Sequence, residues 1–358
     1  MKLFTIGPVQ MYQHTLDVRS KNVPYFRTPE FSDIMLDTDK KLKEISGTRQ
    51  DSKSVYLTAS GTAAMEAAVI NCFSVRDKLI VINGGTFGMR FAKICDIYGI
   101  PHEDISLSFE EKLSYEHFER FEGKNFTGLL VNLDETSTGQ LYDIILIRDF
   151  CKRNNLCLVA DAISTFLCDP FNMDDFGIDV AILSSQKGLC LSPGLSIILL
   201  NNKTVMTRVA ENNPKTLYFD FKDYFNNILR GQTPFTPAVG ILYELYDMLN
   251  VLLEKGVENH LREIASRAAY FRSRVNEINT RLPGYPLANA ITPIIFGNPI
   301  ATDLFNYLKD NFGIFVNPCG GAMSDFMLRI SHAGDLSIND YDILIDYIKK
   351  YYKSKEIE

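Results

Sequence analysis

Short, mostly apolar runs alternate with amphipathic stretches along most of this chain. Such runs predict parallel strands buried on both faces, and apolar residues at helical spacing between them predict covering helices. The predicted strands are Val55–Thr58, Leu79–Ile82, Leu129–Leu133, Leu156–Ala160 and Ile178–Leu183, and the predicted helices lie near residues 62–73, 86–98 and 143–153. This alternation predicts an α/β fold in which a mostly parallel sheet is sandwiched by helices.

Longer helices flank this alternating region. One is predicted from near Pro29 to Ser46, with Gly47 as its stop, and another from about Ala238 to Lys255. The segment after the break at Gly256 is predicted to form a helix to about Asn279, strands near residues 291–296 and 326–331, and a closing helix from about residue 338.

The order of these elements predicts two domains. With 358 residues, the chain is too long for a single small core. We expect a large domain over residues 15–255 and a smaller C-terminal α/β domain over residues 256–358. The N-terminal segment, residues 1–14, is expected to pack between them.

Composition and charge narrow the function classes. Hydrophobic residues make up 46% of the chain and charged residues 23%, as in ordinary globular proteins. A net charge of −7 and a pI near 5.4 argue against partners such as nucleic acid or an anionic membrane. Neither a secretory signal nor a membrane-spanning run is evident, so a cytoplasmic location is expected. The seven cysteines are dispersed and the five histidines lack metal-binding spacing, which predicts reduced thiols and no metal site.

A lysine at the end of one predicted strand is the first candidate for chemistry. Lys187 follows the strand Ile178–Leu183 in the stretch Ser184–Leu189, among small hydroxyls and an amide. An ammonium is costly to bury unless chemistry uses it, and lysine forms Schiff bases with aldehydes such as that of pyridoxal phosphate. The alternative for this residue alone is a solvated lysine at a strand end.

A second strand places a carboxylate near that lysine. Leu156–Ala160 runs directly into Asp161, and ligands of open α/β sheets collect at the carboxyl ends of the strands. Pyridoxal phosphate needs both groups, because a carboxylate keeps its pyridine nitrogen protonated while the lysine carries the aldehyde and moves the proton. The alternative for Asp161 alone is an N-cap of a helix that follows Ala162.

Three loops between strands and helices carry further candidate groups. Thr58–Thr62 leads into an alanine-rich helix, and its hydroxyls beside helix N–H groups form either a phosphate cradle or an ordinary cap. Asn83–Arg90 lacks a dinucleotide fingerprint but carries Phe87, an aromatic that stacks on a cofactor ring or lies in the core. Glu135–Gly139 brings hydroxyl donors to the same crevice, or forms a polar turn.

Together these motifs resemble the class V aminotransferases, a branch of the fold type I enzymes that depend on pyridoxal 5′-phosphate. The resemblance extends from Gly7-Pro8 to the stretch Phe326–Asp335 and so covers nearly the whole chain. The spacings from Glu135 to Asp161 and from Asp161 to Lys187 are both 26 positions, as expected for alanine–glyoxylate and serine–pyruvate aminotransferases.

The resemblance implies a role for each matching residue. Lys187 would carry the Schiff base, and Asp161 would pair with the pyridine nitrogen. The other implied cofactor contacts are Ile163 beneath the ring, Phe87 above it, Thr136 on the phenolic oxygen, and Ser60, Gly61, Thr62 and Gln186 on the phosphate. Arg329 would bind the substrate's acid group, because an arginine fork pairs bidentately with a carboxylate. A structural ion pair is the alternative for Arg329.

The resemblance also implies a homodimer whose active sites lie at the interface. Within Thr233–Val239, it matches Thr236 to a threonine that reaches the cofactor phosphate of the other chain. Some relatives carry a phosphate-binding tyrosine where this chain has Thr233, so Thr233 receives no role.

The implied reaction is transamination from an alanine- or serine-type donor to glyoxylate or pyruvate. One alternative is a 2-aminoethylphosphonate–pyruvate aminotransferase, in which Arg329 would bind a phosphonate. Another is a cysteine desulfurase-like lyase, although the histidines typical of that class are replaced by Gln186 and Phe87, and Cys319 lies only ten positions before Arg329. A non-catalytic relative is disfavoured because a scaffold has no need of Lys187, Asp161 and Arg329 together.

Overall fold

In the computed structural model, which describes residues 1–355, the strands form a seven-stranded sheet, a five-stranded sheet and a two-stranded hairpin. Numbered in chain order, the strands are β1 (Lys2–Phe4), β2 (Lys53–Leu57), β3 (Leu79–Asn83), β4 (His102–Ser106), β5 (Gly128–Asn132), β6 (Asp134–Glu135), β7 (Gln140–Leu141), β8 (Cys157–Asp161), β9 (Val180–Ser184), β10 (Ser196–Leu200), β11 (Thr280–Arg281), β12 (Ile291–Phe296), β13 (Ile314–Pro318) and β14 (Met327–Ser331).

Helices of very different length connect these strands. They are α1 (Gln13–Arg19), α2 (Pro29–Ile45), α3 (Gly61–Cys72), α4 (Thr86–Tyr98), α5 (Glu116–Glu119), α6 (Ile144–Arg153), α7 (Asn202–Thr204), α8 (Phe221–Ile228), α9 (Val239–Lys255), α10 (Val257–Ser273), α11 (Ala301–Phe312) and α12 (Ile338–Ser354), with a π-helical turn at Val205–Val209 and 3₁₀ turns at Val275–Ile278 and Gly321–Met323. Within residues 1–355, no helix has the length and apolar character needed to cross a membrane.

The seven-stranded sheet has the strand order β2-β10-β9-β8-β5-β3-β4. Strand β10 is antiparallel to both its neighbours, and the other strands run parallel to one another. The sequence-based prediction of a mostly parallel sheet is therefore confirmed. Strands β4 and β10 were not predicted. Every residue of β5, β8, β9 and β10 is buried, as expected for strands covered by helices on both faces.

The register of the central strands brings their polar ends together. Asn132 at the end of β5 lies beside Asp161 at the end of β8, and Asp161 lies beside Ile182 of β9. Since parallel strands end at the same edge of the sheet, the chain that leaves β9 carries Lys187 to the edge where Asp161 lies.

The five-stranded sheet has the order β1-β13-β14-β12-β11, and only its pair β1 and β13 is parallel. The N-terminal strand β1 is thus an edge of this smaller sheet. Shortly after it, Ile6 and Val9 pack in one apolar cluster with Cys168, Cys190 and Ala290. The boundaries of the two predicted domains and the placement of residues 1–14 stay predictions.

Several predictions for the C-terminal third were incomplete. The helix expected to reach Asn279 ends at Ser273, and a short 3₁₀ turn follows. Asn279 has a φ of 48°, a left-handed conformation that ends the helical path and turns the chain into β11. The helices α8 and α11 and the strand β13 were not predicted from the sequence.

Candidate active site

A cleft of about 130 Å³ lies at the carboxyl ends of β8 and β9. All the predicted site residues except Thr236 and Arg329 line it: Ser60, Gly61, Thr62, Phe87, Thr136, Asp161, Ile163, Gln186 and Lys187. Four further residues share the lining, namely Met65, Arg90, Asp134 and Ser164. Residues far apart in the sequence therefore meet at one place, and the roles given to them above remain predictions.

Lys187 lies in a turn that follows β9. It is half-buried, and its side chain runs across Gly7 of the N-terminal segment, where a Cβ atom would come within 2.8 Å of the lysine Cε. Burial lowers the pKa of Lys187 to about 8, and the negative charges of Asp134 and Asp161 oppose that shift. The alternative of a freely solvated lysine does not fit this environment.

Asp161 is buried, and both of its carboxylate oxygens are held. Oδ1 accepts the backbone N–H of Ile163 at 2.8 Å, and Oδ2 accepts the side-chain amide of Asn132 at 2.5 Å. Burial raises the pKa of Asp161 to about 6, while these two hydrogen bonds favour the charged form. Asp161 caps a turn and not a helix, because the residues after Ala162 form turns.

The loop that leads into α3 lines the cleft with small residues. Ser60 is the N-cap of α3, and its Oγ accepts the backbone N–H of Ala63 at 3.4 Å. A Cβ atom on Gly61 would lie only 2.5 Å from Cδ1 of Ile163, so a larger residue there would displace the cleft wall. The helix N-terminus therefore faces the cleft with small residues, which suits an anion such as phosphate.

Two side chains add hydrogen-bond donors beside that loop. The guanidinium of Arg90 donates to Oγ1 of Thr62 at 2.8 Å and lies 4.9 Å from the ring centre of Phe87. Because Oγ1 already accepts this bond, the hydroxyl proton of Thr62 is free to be donated into the cleft. Oε1 of Gln186 accepts from the hydroxyl of Ser184 at 2.7 Å, which orients the amide group.

The hairpin β6–β7 supplies the facing wall. The hydroxyl of Thr136 lies 2.7 Å from that of Ser164. The neighbouring Glu135 is fully buried, and Oε2 accepts the backbone N–H of Gly88 at 3.0 Å, so this carboxylate caps the start of α4. Glu135 thereby positions the loop that carries Phe87.

Arg329 on β14 lies outside the cleft lining. Its Nη1 and Nη2 donate to the backbone carbonyls of Thr136, at 2.8 Å, and Pro318, at 2.6 Å. Its Nε is buried without a hydrogen-bond partner in the described part of the chain. Among residues 1–355, no carboxylate forms an ion pair with Arg329, so the alternative of a structural ion pair finds no support.

Thr236 also lies apart from the cleft of its own chain. It is exposed and lines a groove of about 840 Å³ between the segment that follows α1 and the start of α9. Exposed apolar side chains lie on the same groove, including Val23 and Tyr25, which are 63% and 69% exposed. Within one chain, Thr236 is not brought together with the other predicted phosphate ligands.

Four polar residues of the site had received no role from the sequence. They are Arg90, Asn132, Asp134 and Ser164. For Asn132 and Asp134 a signal was available, since these polar residues interrupt the apolar run at the carboxyl end of β5. The pairings of Arg90 with Thr62 and of Ser164 with Thr136 left no sequence signal, because these partners are 28 positions apart in each case.

Comparison with known proteins agrees with this geometry. A family model described as "Aminotransferase class-V" matches residues 11–334. A protein of Synechococcus named "Soluble hydrogenase, small subunit" is 28% identical over 94% of this chain and 88% of its own length. The serine–glyoxylate aminotransferase of Arabidopsis thaliana is 25% identical, with 96% of this chain and 87% of the relative covered.

A solved structure supports the fold independently. The alanine–glyoxylate aminotransferase of Nostoc superposes with a TM-score of 0.89 at 21% identity, over 97% of this chain and 94% of the other. At that identity the likeness establishes the fold type alone. Together with the family match over most of the sequence, it identifies this chain as a member of the class V aminotransferases.

Proposed function

We propose that this aminotransferase uses pyridoxal 5′-phosphate to move the amino group of an alanine- or serine-type amino acid to glyoxylate or pyruvate. The observation that carries the proposal is the meeting of Lys187 and Asp161 in one cleft beside the N-terminus of α3, which would serve as an anion cradle. The serine–glyoxylate relative supports the choice of substrates.

The residues of the cleft fit this cofactor. Gly61 leaves space at the cradle that a Cβ atom would fill, and Phe87 and Ile163 offer apolar surfaces for a ring. Thr62 and Gln186 offer donors for a phosphate, and Thr136 offers a hydroxyl for the phenolic oxygen. When bound, pyridoxal phosphate supplies an aldehyde that reacts with amines and a ring that accepts the electron pair of the broken Cα–H bond.

The chain's own residues supply the proton movements. Lys187 is the group that would bind the cofactor covalently and then carry the proton removed from the substrate α-carbon. With its pKa lowered to about 8, its amine is neutral in a useful fraction of molecules near neutral pH. Asp161, held by Ile163 and Asn132, would keep a proton on the ring nitrogen throughout.

Arg329 would recognise the substrate's acid group. Its two Nη atoms already bind carbonyl oxygens, whereas its buried Nε has no partner within the described residues. If the substrate's carboxylate replaced one of these carbonyls, it would accept charged hydrogen bonds from the guanidinium. It would also provide an acceptor for Nε. A phosphonate would satisfy the same donors, so 2-aminoethylphosphonate remains the alternative amino donor.

Two measurements test the proposal. Borohydride treatment of the cofactor-loaded protein should fix the cofactor on Lys187, as read by peptide mass spectrometry. The second measurement is a screen of amino donors, in which the loss of the aldehyde absorbance reports conversion of the cofactor. Conversion should be fastest with alanine or serine. A label on a different lysine would refute the mechanism, and a clear preference for 2-aminoethylphosphonate would replace the substrate class.

We also propose that each active site is completed by a second copy of the chain. The exposed position of Thr236 on an apolar groove supports this arrangement. Mixing inactive Lys187→Ala chains with Thr236→Val chains, once the latter prove inactive alone, tests it. Hybrids should regain up to about half the activity, because one of their two sites is intact. No recovery in demonstrated hybrids would mean that Thr236 serves its own chain.

A further inference from the structure

Asp134 is the most unusual polar group in the cleft. It is 4% exposed, lines the cleft together with Lys187, and belongs to the short strand β6. Neither of its carboxylate oxygens has a hydrogen-bond partner among the described residues. A buried carboxylate without donors is costly, so a group that binds it is expected.

The adjacent Glu135 shows what a structural carboxylate looks like at this place. Its Oε1 accepts the hydroxyl of Ser137 at 2.5 Å, and its Oε2 accepts the backbone N–H of Gly88 at 3.0 Å. Glu135 therefore holds two segments together. The side chain of Asp134, one residue earlier, holds no segment in place among the described residues. The free-energy cost of burying its carboxylate is therefore not offset by hydrogen bonds within the fold.

The charges around Asp134 and Lys187 identify the missing partner. The ionisable groups that act electrostatically on Asp134 include Asp169, Glu135, Asp161 and Lys187, and Asp134 in turn acts on Arg272 and Arg329. Those that face Lys187 are Asp134, Asp161, Arg329 and Cys168. Of the three cations Lys187, Arg272 and Arg329, only Lys187 lines the cleft together with Asp134. The guanidinium of Arg272 donates to Thr292 and Ala288, and that of Arg329 donates to the carbonyls of Thr136 and Pro318.

Asp161 is less suited to serve that lysine. Its two oxygens already accept hydrogen bonds from Ile163 and Asn132, and its proposed task is to pair with the ring nitrogen. Asp134 also has the larger electrostatic effect on the pKa of Lys187, which it raises against the effect of burial. Burial and nearby carboxylates raise the pKa of Asp134 itself, and the positive charge of Lys187 opposes them.

We infer that Asp134 is a positioning residue that supplies the counter-charge of the Lys187 nitrogen and thereby sets the pH at which that nitrogen loses its proton. The two side chains line the same narrow cleft, so their opposite charges stabilise each other there. The inference rests on the proposed function of Lys187, whose neutral amine is the reactive form.

The test measures the titration of Lys187 directly. The full chain without cofactor is labelled with acetic anhydride over a range of pH, and the fraction of Lys187 acetylated is read by peptide mass spectrometry. In Asp134→Asn, the midpoint should fall by about one pH unit or more, because the opposite charge that favours the ammonium is gone. Asp134→Glu, which keeps the charge, should return the midpoint toward that of the wild type.

A matched control removes a different buried carboxylate of the same region. Both oxygens of Asp169 accept the backbone N–H of Asn289, at 3.1 and 3.0 Å, and Asp169 lies outside the cleft lining that contains Asp134 and Lys187. Asp169→Asn should shift the midpoint of Lys187 much less than Asp134→Asn does. Circular dichroism of all three variants checks that each is folded.

The possible outcomes separate this inference from the proposed function. An unchanged or raised midpoint in folded Asp134→Asn would overturn the inference, and so would an equal shift in Asp169→Asn. A lowered midpoint that Asp134→Glu restores would support it. These results do not depend on the cofactor, whereas failure of borohydride to fix pyridoxal phosphate on wild-type Lys187 would refute the proposed function alone.

Discussion

Two buried polar clusters of this molecule differ in how their hydrogen bonds are arranged. In the C-terminal region, Nε2 of His332 lies 2.7 Å from Oγ1 of Thr292, and its Nδ1 lies 3.1 Å from the hydroxyl of Tyr341. Arg272 donates to the same threonine oxygen at 2.8 Å. This cluster satisfies its own polar groups.

The cleft at the ends of β8 and β9 is arranged differently. Both carboxylate oxygens of Asp134, which lines the cleft, are buried without partners among residues 1–355. The same holds for two atoms of residues outside the lining, namely Oδ1 of Asn132, which binds Asp161, and Nε of Arg329, which binds the carbonyl of Thr136. An unpaired buried polar atom costs about 1–3 kcal/mol, so such atoms in one place indicate a region shaped for a ligand. The comparison teaches that the C-terminal cluster pairs its buried groups, whereas unpaired groups gather around the cleft. Unpaired buried atoms also occur elsewhere, as in Ser46 and Arg267, so the combination of unpaired groups with a cleft indicates the site.

The largest effect on function is expected from Asp161→Asn. The substitution preserves size and should leave the unfolding free energy of the cofactor-free chain within about 1 kcal/mol. Turnover should fall about 10³-fold, because the ring nitrogen of the proposed cofactor would lose its charged partner. Steady-state kinetics and urea unfolding measure the two quantities. Near wild-type turnover would show that Asp161 only caps a local turn and has no role in the reaction.

In the cluster around His332, a substitution is expected to lower stability and to leave cofactor binding unchanged. His332→Ala removes the partner of Thr292 and Tyr341 and leaves a cavity, which should cost about 3 kcal/mol of unfolding free energy. The folded fraction should still bind pyridoxal phosphate with wild-type affinity, as measured by absorbance titration. A loss of affinity without a loss of stability would contradict the distinction between the two clusters.

A smaller effect is expected where the N-terminal segment touches the cleft. In Gly7→Ala, the new Cβ would lie 2.8 Å from Cε of Lys187 and would push this flexible side chain aside. Turnover should fall about tenfold, since small misplacements of a reacting group are costly, while stability changes little. Gly284→Ala is the matched control, because apart from its chain neighbours no atom of residues 1–355 lies within 4 Å of its added Cβ. Equal turnover in both variants would show that the contact between Gly7 and Lys187 does not matter for the reaction.

The smallest effect is expected from Arg90→Met. Loss of the guanidinium beside Thr62 should weaken the binding of pyridoxal phosphate about fivefold, roughly 1 kcal/mol for a partly exposed charge. The affinity for pyridoxal, which lacks the phosphate, should not change. Arg120→Met is the control. Like Arg90, Arg120 stacks on an aromatic ring and donates a hydrogen bond, in its case to a backbone carbonyl, but it lies outside the cleft lining. An equal loss for pyridoxal would show that Arg90 acts only through Phe87.

Much of the site followed from local patterns in the sequence. Apolar runs that end in a polar residue predicted the strands that lead to Asp161 and Lys187, because strand burial and strand ends are encoded within a few residues. The cradle at Ser60–Thr62 was equally local. The family resemblance added roles to these positions, and the family match agrees with it.

The tertiary structure alone decided which polar groups have partners. Gly7 lies against Lys187, and Arg90 donates to Thr62; both are contacts between distant segments. Asp134 is buried without a donor among residues 1–355. The sequence by itself determined where strands end and which side chains those ends carry. Only the packed chain decides whether a buried charge is satisfied, because the free energy of a charge depends on every group around it and not on its neighbours in sequence.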